Sequence, residues 1–299
     1  MRIGSIDLKL IKALNCVVIE QSFEKAAHVL NLTQPAVSLR IKLLEQYVAK
    51  PVLIRSIPPE ATKVGERLIS YYKKVKTLEY ELIDEISPHA NQNILEVSIA
   101  LNADTLASWF IPAIANILKH SPMALDLRIE NETRTQELLK KGEVFAAISS
   151  KPNSFAGCKV QAIGKVDYIC CASPEFKKRY FNEGLTIEGL QSAPGVLFNS
   201  QDSMHTDYIE KHFGIKKGVY PCHRVKSSEA FVAMALTGSA YCLLPHTQAQ
   251  TYIEDGALLD LFPQQHIKQT LYWHSWVLEQ GIQKRISEEI LMYGHQFLK

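Results

Sequence analysis

Ser22 to Leu44 reads SFEKAAHVLNLTQPAVSLRIKLL and resolves into two short helices joined by a tight turn. Phe23, Ala26, Ala27 and Leu30 recur at helical spacing and make one apolar face. Ser22 suits the N-cap, because its hydroxyl can accept from an unpaired amide of the first turn. Asn31 tolerates the left-handed conformation that ends a helix. Thr33 caps the second helix, and Pro35 falls in its first turn, where a missing N–H costs nothing. Val37, Ile41 and Leu44 point inward; Gln34, Ser38 and Lys42 point outward, flanked by Pro35 and Arg40. Gln bonds bidentately to an adenine edge, Ser to either kind of edge, and Arg and Lys reach guanine or phosphate. Small alanines at a helix crossing and a polar N-terminal half on the second helix suit a helix-turn-helix entering a major groove. An ordinary helical hairpin with a solvated polar face would carry the same pattern.

Working outward, a first helix is expected from its cap Asp7 to Glu20, with Leu8, Ile11, Leu14 and Val18 as its buried stripe. Beyond the second helix, the apolar run Pro51 to Ile54 and the rigid Pro58-Pro59 turn predict a two-stranded wing, with Arg55 placed to reach a nucleic-acid backbone or minor groove. Thr62 caps a long helix ending before Pro88. Its Val64, Leu68, Tyr71, Val75, Leu78 and Leu82 alternate spacings of four and three, a heptad seam that predicts a dimer. The polar segment 87–93, SPHANQN, is expected to be a hinge.

The formal charge of +2 hides an asymmetry: residues 1–77 carry 13 Lys and Arg against 6 Asp and Glu, net +7, leaving −5 on the rest. A basic head on an acidic body suits phosphate binding by the head and a separate sensing role for the body. Six cysteines are scattered without a metal-ligand spacing, and we expect reduced thiols that pack as small hydrophobes. No signal-peptide pattern and no apolar run of bilayer length occur, which predicts a cytoplasmic protein without a membrane partner. No nucleophile–base spacing, phosphate loop or metal cluster is present, so neither catalytic residue nor cofactor is expected.

From Ile94 onward strands and helices alternate. Strands are expected at Ile94–Ala100, Leu125–Glu130, Val144–Ser149, Asp167–Ala172, Gly195–Asn199, Tyr241–Leu244 and Leu271–Trp276, with a closing amphipathic helix from Ile282 to Leu298. This rhythm predicts α/β units with a parallel sheet. Ligands of such sheets lie beyond the carboxyl ends of strands, at helix N-termini. Asn102, Asp104, Thr105, Glu130, Asn199, Asp202, Ser227 and Ser228 fall there. Thr105 and Ser228 suit a carboxylate; Asp104, Glu130 and Asp202 could face a cation. Each would serve equally as a helix cap.

Thr33-Gln34-Pro35-Ala36-Val37-Ser38, then Ile41-Lys42 and Leu44-Glu45, resembles the N-terminal signature of LysR-type transcriptional regulators. Ala49-Lys50-Pro51-Val52-Leu53-Ile54-Arg55 and Thr62-Lys63-Val64-Gly65 continue the likeness. Ala49 replaces the family's turn glycine, so a slightly different turn is expected. Leu39 stands where a polar or basic reader is common, and neighbouring Arg40 can take that role. The resemblance implies a winged helix-turn-helix at 1–61, a dimerisation helix at 62–87 and a two-lobed, periplasmic-binding-protein-like effector domain at 92–299. Its lobe I would take about 92–164 and 269–299, and lobe II about 165–268. Thr33, Gln34, Pro35, Ser38, Arg40, Lys42 and Arg55 are the expected DNA contacts.

Asn102 to Trp109, Glu132 to Glu137, Lys226 to Phe231 and Tyr272-Trp273-His274 are similar to the arginine-exporter branch of these regulators, the ArgP or LysG type. That branch is also described as inhibiting the initiation of chromosome replication. It implies control of basic amino acid export and metabolism in response to lysine or arginine. Expected partners are therefore double-stranded DNA, such an effector and a second copy of the chain, with a tetramer and RNA polymerase also admitted. Asn199 stands where that branch has Asp, which leaves open a regulator of the same type with another effector. A small-molecule-binding protein or an enzyme with an accessory helical domain is the competing class.

Overall fold

The computed structural model describes residues 6–86, 94–182, 184, 186–216 and 218–298. The expected hinge at 87–93 lies outside them. The chain forms two compact units, one of Met1–Ser98, Pro122–Leu125 and Glu137–Phe145, the other of Ile99–Ser121, Asp126–Gln136 and Ala146–Lys299.

In the first unit, α1 (Leu8–Glu20), α2 (Phe23–Val29) and α3 (Gln34–Val48) start at caps that the sequence names. Asp7 accepts from the Lys9 amide at 2.8 Å, Ser22 from Lys25 at 3.4 Å and Thr33 from Ala36 at 3.4 Å. Asn31 is left-handed, with φ 52°. Ala26 and Ala27 are buried where the helices meet, and Val37, Ile41 and Leu44 are fully buried. The stripe on α1 is wider than expected: Ile11, Ala13, Leu14, Cys16 and Val17 are buried, whereas Val18 is only partly covered. α1 packs against both α2 and α3 and so needs a broader apolar arc.

The wing is β1 (Leu53–Ile54) paired antiparallel with β2 (Glu60–Ala61). Glu45 of α3 accepts from the Val52 amide at 3.1 Å and anchors the wing to the helix. Thr62 opens α4 (Lys63–Ile86): its hydroxyl donates to the Pro51 carbonyl at 2.9 Å and accepts from the Gly65 amide at 3.1 Å. A Cβ on Gly65 would stand 2.1 Å from the Val52 carbonyl oxygen, so only glycine admits this approach. The proposed seam divides. Val64 and Leu68 pack on the head's core together with Tyr72, which the heptad reading missed. Tyr71, Leu78, Leu82 and Ile86 stay exposed on the chain as described.

The remaining elements, in order, are β3 (Leu95–Leu101), α5 (Ala103–Thr105) running through a π-helical turn (Leu106–Phe110) into α6 (Ile111–His120), β4 (Met123–Ile129), α7 (Thr135–Lys141), β5 (Ala146–Ser149), β6 (Cys158–Ala172), α8 (Pro174–Tyr180), α9 (Ile187–Ser192), β7 (Gly195–Leu197), α10 (Met204–Phe213), β8 (Cys222–Arg224), α11 (Ser228–Leu236), β9 (Cys242–Pro245), α12 (His246–Glu254), β10 (Leu259–Asp260), β11 (Ile267–Trp276) and α13 (Gly281–Phe297).

The main sheet runs β10-β6-β11-β5-β3-β4, with β9 also on β6; β7 and β8 form a separate pair. It is mixed rather than parallel. β3 and β5 are parallel, as are β7 and β8, but β6 and β11 lie antiparallel from Ile267↔Tyr168 to Trp276↔Cys158. The expected Asp167–Ala172 strand is only the buried end of β6. Its first half carries exposed polar side chains such as Gln161, which mask the strand in the sequence. Beside β6 the second unit holds two apolar clusters, one around Phe176, Tyr208 and Tyr241, the other around Ile169, Phe231 and Leu244.

Candidate functional site

Two surfaces gather the residues singled out by the sequence. On α3, Gln34, Pro35 and Lys42 are exposed, while Ser38 and Arg40 are half-buried on its flanks. Arg55 is exposed in the wing. The outward face also carries Leu39 and Gln46, neither of them among the expected contacts.

The second surface is an open hollow within the second unit, about 520 Å³ with its solvent-facing space included. Asn102 and Asp104 reach it from the end of β3, Glu130 to Glu132 from the end of β4, Tyr168 from β6, and Val196, Phe198 and Asp202 from β7 and the loop after it. Met204 and His205 of α10, Ser228 with Phe231 of α11 and Leu243 of β9 also line it. Asp104 ties the walls together. Its carboxylate accepts from the Ser228 hydroxyl at 2.6 Å and the Tyr168 hydroxyl at 3.0 Å. Ser228 also reaches Gln248 at 2.9 Å. Burial pushes the Asp104 carboxyl up, its two hydrogen bonds oppose this, and the neighbouring charges of Asp202 and Glu229 add to it. Glu132 is pushed up to about 7, first by burial and then by Asp104 and Asp202, against the lowering effect of its own backbone amide. Asp202 is held by the Phe198 amide at 2.9 Å and the Met204 amide at 3.1 Å. Arg134 donates to Gln201 beside the pocket.

No Lys or Arg is among the described residues lining the pocket. Carboxylates gathered at one apolar-walled hollow raise one another's cost of ionisation, and a bound cation would remove that cost. No group of three or more His, Cys, Asp or Glu that could hold a metal ion occurs among the described residues.

Of the residues expected here, Asn102, Asp104, Glu130, Asp202 and Ser228 line the pocket. Three stand elsewhere. Thr105 lies on a smaller hollow behind Asp104, its amide donating to Asn102. Asn199 turns back to the Gln201 amide at 2.8 Å. Ser227 caps α11, accepting from the Ala230 amide at 3.2 Å and donating to Glu229 at 2.7 Å. Glu132, Tyr168 and His205 were missed. Glu132 shares the loop of Glu130, and its position just before α7 was a usable signal. His205 gave none, because α10 was not expected. Its ring is buried, burial lowers its pKa to about 4, and neither ring nitrogen has a partner among the described residues.

Residues 8–66 match the bacterial regulatory helix-turn-helix protein, lysR family, and residues 91–275 match the LysR substrate binding domain. The chain belongs to the LysR family. It is a DNA-binding transcription regulator with a helical head and an α/β substrate-binding domain, not an enzyme. This LysR regulator is 46% identical to the HTH-type transcriptional regulator ArgP of Aeromonas salmonicida, over 99% of both chains. Its structure is similar to the crystal structure of ArgP from Mycobacterium tuberculosis, with TM-score 0.85, 30% identity and 99% of each chain covered. It is also similar to full-length LysG from Corynebacterium glutamicum with bound effector Arg, with TM-score 0.78 and 28% identity over 98% of this chain and 100% of that one. Among the described residues of this LysR regulator, no helix is long and apolar enough to cross a membrane.

Proposed function

We propose that this LysR regulator controls basic amino acid export and metabolism, and that its pocket takes lysine or arginine. The observation that carries this reading is the group of carboxylates, Asp104, Glu130, Glu132 and Asp202, on a pocket without a lining cation. The arginine bound to the similar LysG supports it. Asp104, Glu132 and Asp202 face the cationic groups of the effector; Asn102 and Ser228 supply polar contacts to its other end. In the head, Thr33, Gln34, Pro35, Ser38, Arg40, Lys42 and Arg55 meet DNA. The exposed row Tyr71, Leu78, Leu82 and Ile86 supports a homodimer through α4. Domain limits of 1–61, 62–87 and 92–299 belong to the same reading.

Asp104→Asn tests the pocket, because it keeps the shape and removes the charge. Calorimetry should show lysine and arginine binding weakened at least about tenfold, roughly 1.4 kcal/mol, with effector-free DNA binding intact. Unchanged affinity would reduce Asp104 to a helix and sheet tether. Failure of the unaltered protein to bind either amino acid would overturn the effector class.

A further inference from the structure

We propose that Leu39 reads the 5-methyl group of a thymine in the major groove, an inference that rests on the head's DNA-binding role. Val37, Ile41 and Leu44 are fully buried and define the inward side of α3. At 3.6 residues per turn Leu39 lies about 165° around the axis from their mean bearing. It is 56% exposed and takes no part in the head's core. Ser38 and Arg40, its polar neighbours, lie half-buried on the two flanks. When this face enters a groove, Leu39 points at the bases, between Pro35 one turn before it and Lys42 almost one turn after it.

An isobutyl group neither donates nor accepts a hydrogen bond. Pressed on a guanine, cytosine or adenine edge, it would displace water from polar atoms and leave them unpaired. In the major groove thymine alone offers an apolar group, its methyl. The face is edged by Lys42 and Arg40, and residues 1–77 carry a net +7. That charge favours a polyanion over a second, equally basic copy as the occupant. Leu39 thus contributes sequence preference where the sequence alone pointed to polar readers.

The full-length protein and its Leu39→Ala variant are each used to select duplexes from a randomised library. Every thymine of the preferred sequence is then replaced in turn by deoxyuridine, which lacks only the methyl group. For the unaltered protein, at least one replacement should weaken binding about fourfold, the value of one buried carbon at ~0.8 kcal/mol. The Leu39→Ala variant should bind that duplex more weakly and ignore the replacement. The side chain is exposed, so an unchanged circular dichroism spectrum is expected. No methyl-sensitive thymine, or equal sensitivity in both proteins, overturns the contact. A changed sedimentation mass with unchanged sequence preference would assign the face to a second copy and overturn it too. If no duplex is selected at all, DNA reading by the head fails, and the thymine contact fails with it.

Discussion

Ala49 holds the turn after α3 in the left-handed region, with φ 55° and ψ 32°. Ala49, which stands where the resembling family has glycine, thus takes a conformation that favours glycine. A Cβ in that region costs roughly 1–2 kcal/mol. Ala49→Gly should raise stability by about 1 kcal/mol, part of the relief being offset by the freer unfolded chain. Urea denaturation of the full chain, followed by circular dichroism, should show a higher midpoint; an equal or lower one would refute the strain. Glu132 makes a second prediction. Its folded pKa is raised to about 7 from an ordinary 4.5. The folded state therefore holds the proton between those values while the unfolded state has lost it, so stability from this group falls as pH rises from about 4.5 to 7 and then levels. A cationic effector favours the ionised form. Lysine or arginine affinity should rise about tenfold from pH 6 to pH 8, with proton release at the lower pH. Glu132→Gln should flatten both dependences; a pH-independent affinity in the unaltered protein would remove Glu132 from the cation site.

At the scale of elements, α4 does two jobs along its length. Its first turns belong to the head, with Val64, Leu68 and Tyr72 in that core. Along the helix, the apolar row at Tyr71, Leu78, Leu82 and Ile86 stays about half exposed or more among the described residues. Leu78→Asp places a charge in that row. Buried unpaired between two helices, it would cost more than a dimer of ordinary affinity supplies. Sedimentation should then report a monomer at micromolar concentration with the head still folded. An unchanged mass would send the row to another use. The same helix shows why a heptad count misleads near its start: a period of 3.5 marks which positions are apolar, not which body covers them.

For the whole molecule, the charge division separates two kinds of binding. Residues 1–77, the head with the first part of α4, carry +7 and suit the phosphate backbone, whereas the rest of the chain at −5 contains the pocket whose lining holds carboxylates without a Lys or Arg. Binding to random duplex DNA should therefore fall steeply with salt, roughly a thousandfold between 50 and 200 mM for about six phosphate contacts. An affinity flat in salt would contradict a backbone-held complex. Lysine or arginine affinity should respond far less, because the carboxylates are largely enclosed and mobile ions screen enclosed charges weakly.

The head was legible in the sequence because its information is local. Caps at Asp7, Ser22 and Thr33, the left-handed Asn31 and the inward row Val37, Ile41 and Leu44 all follow from spacing within one turn or two. The cause of Gly65 was hidden, since the Val52 carbonyl that excludes a side chain comes from 13 residues earlier. In the α/β body the sequence located most strand ends and five of the pocket's residues, because strand ends and helix starts carry their own polar signals. It missed the first half of β6, whose half-exposed polar surface lacks a buried strand's continuous apolar run. Only the tertiary structure decided that Asp104 meets Ser228 from 124 residues away and Tyr168 from 64. It alone turned Ser227, Asn199 and Thr105 from the pocket, and it alone set Glu132 beside Asp104 and Asp202. Local sequence specifies which groups can cap or bury, whereas mutual repulsion among carboxylates depends on distances that exist only once distant strands have paired.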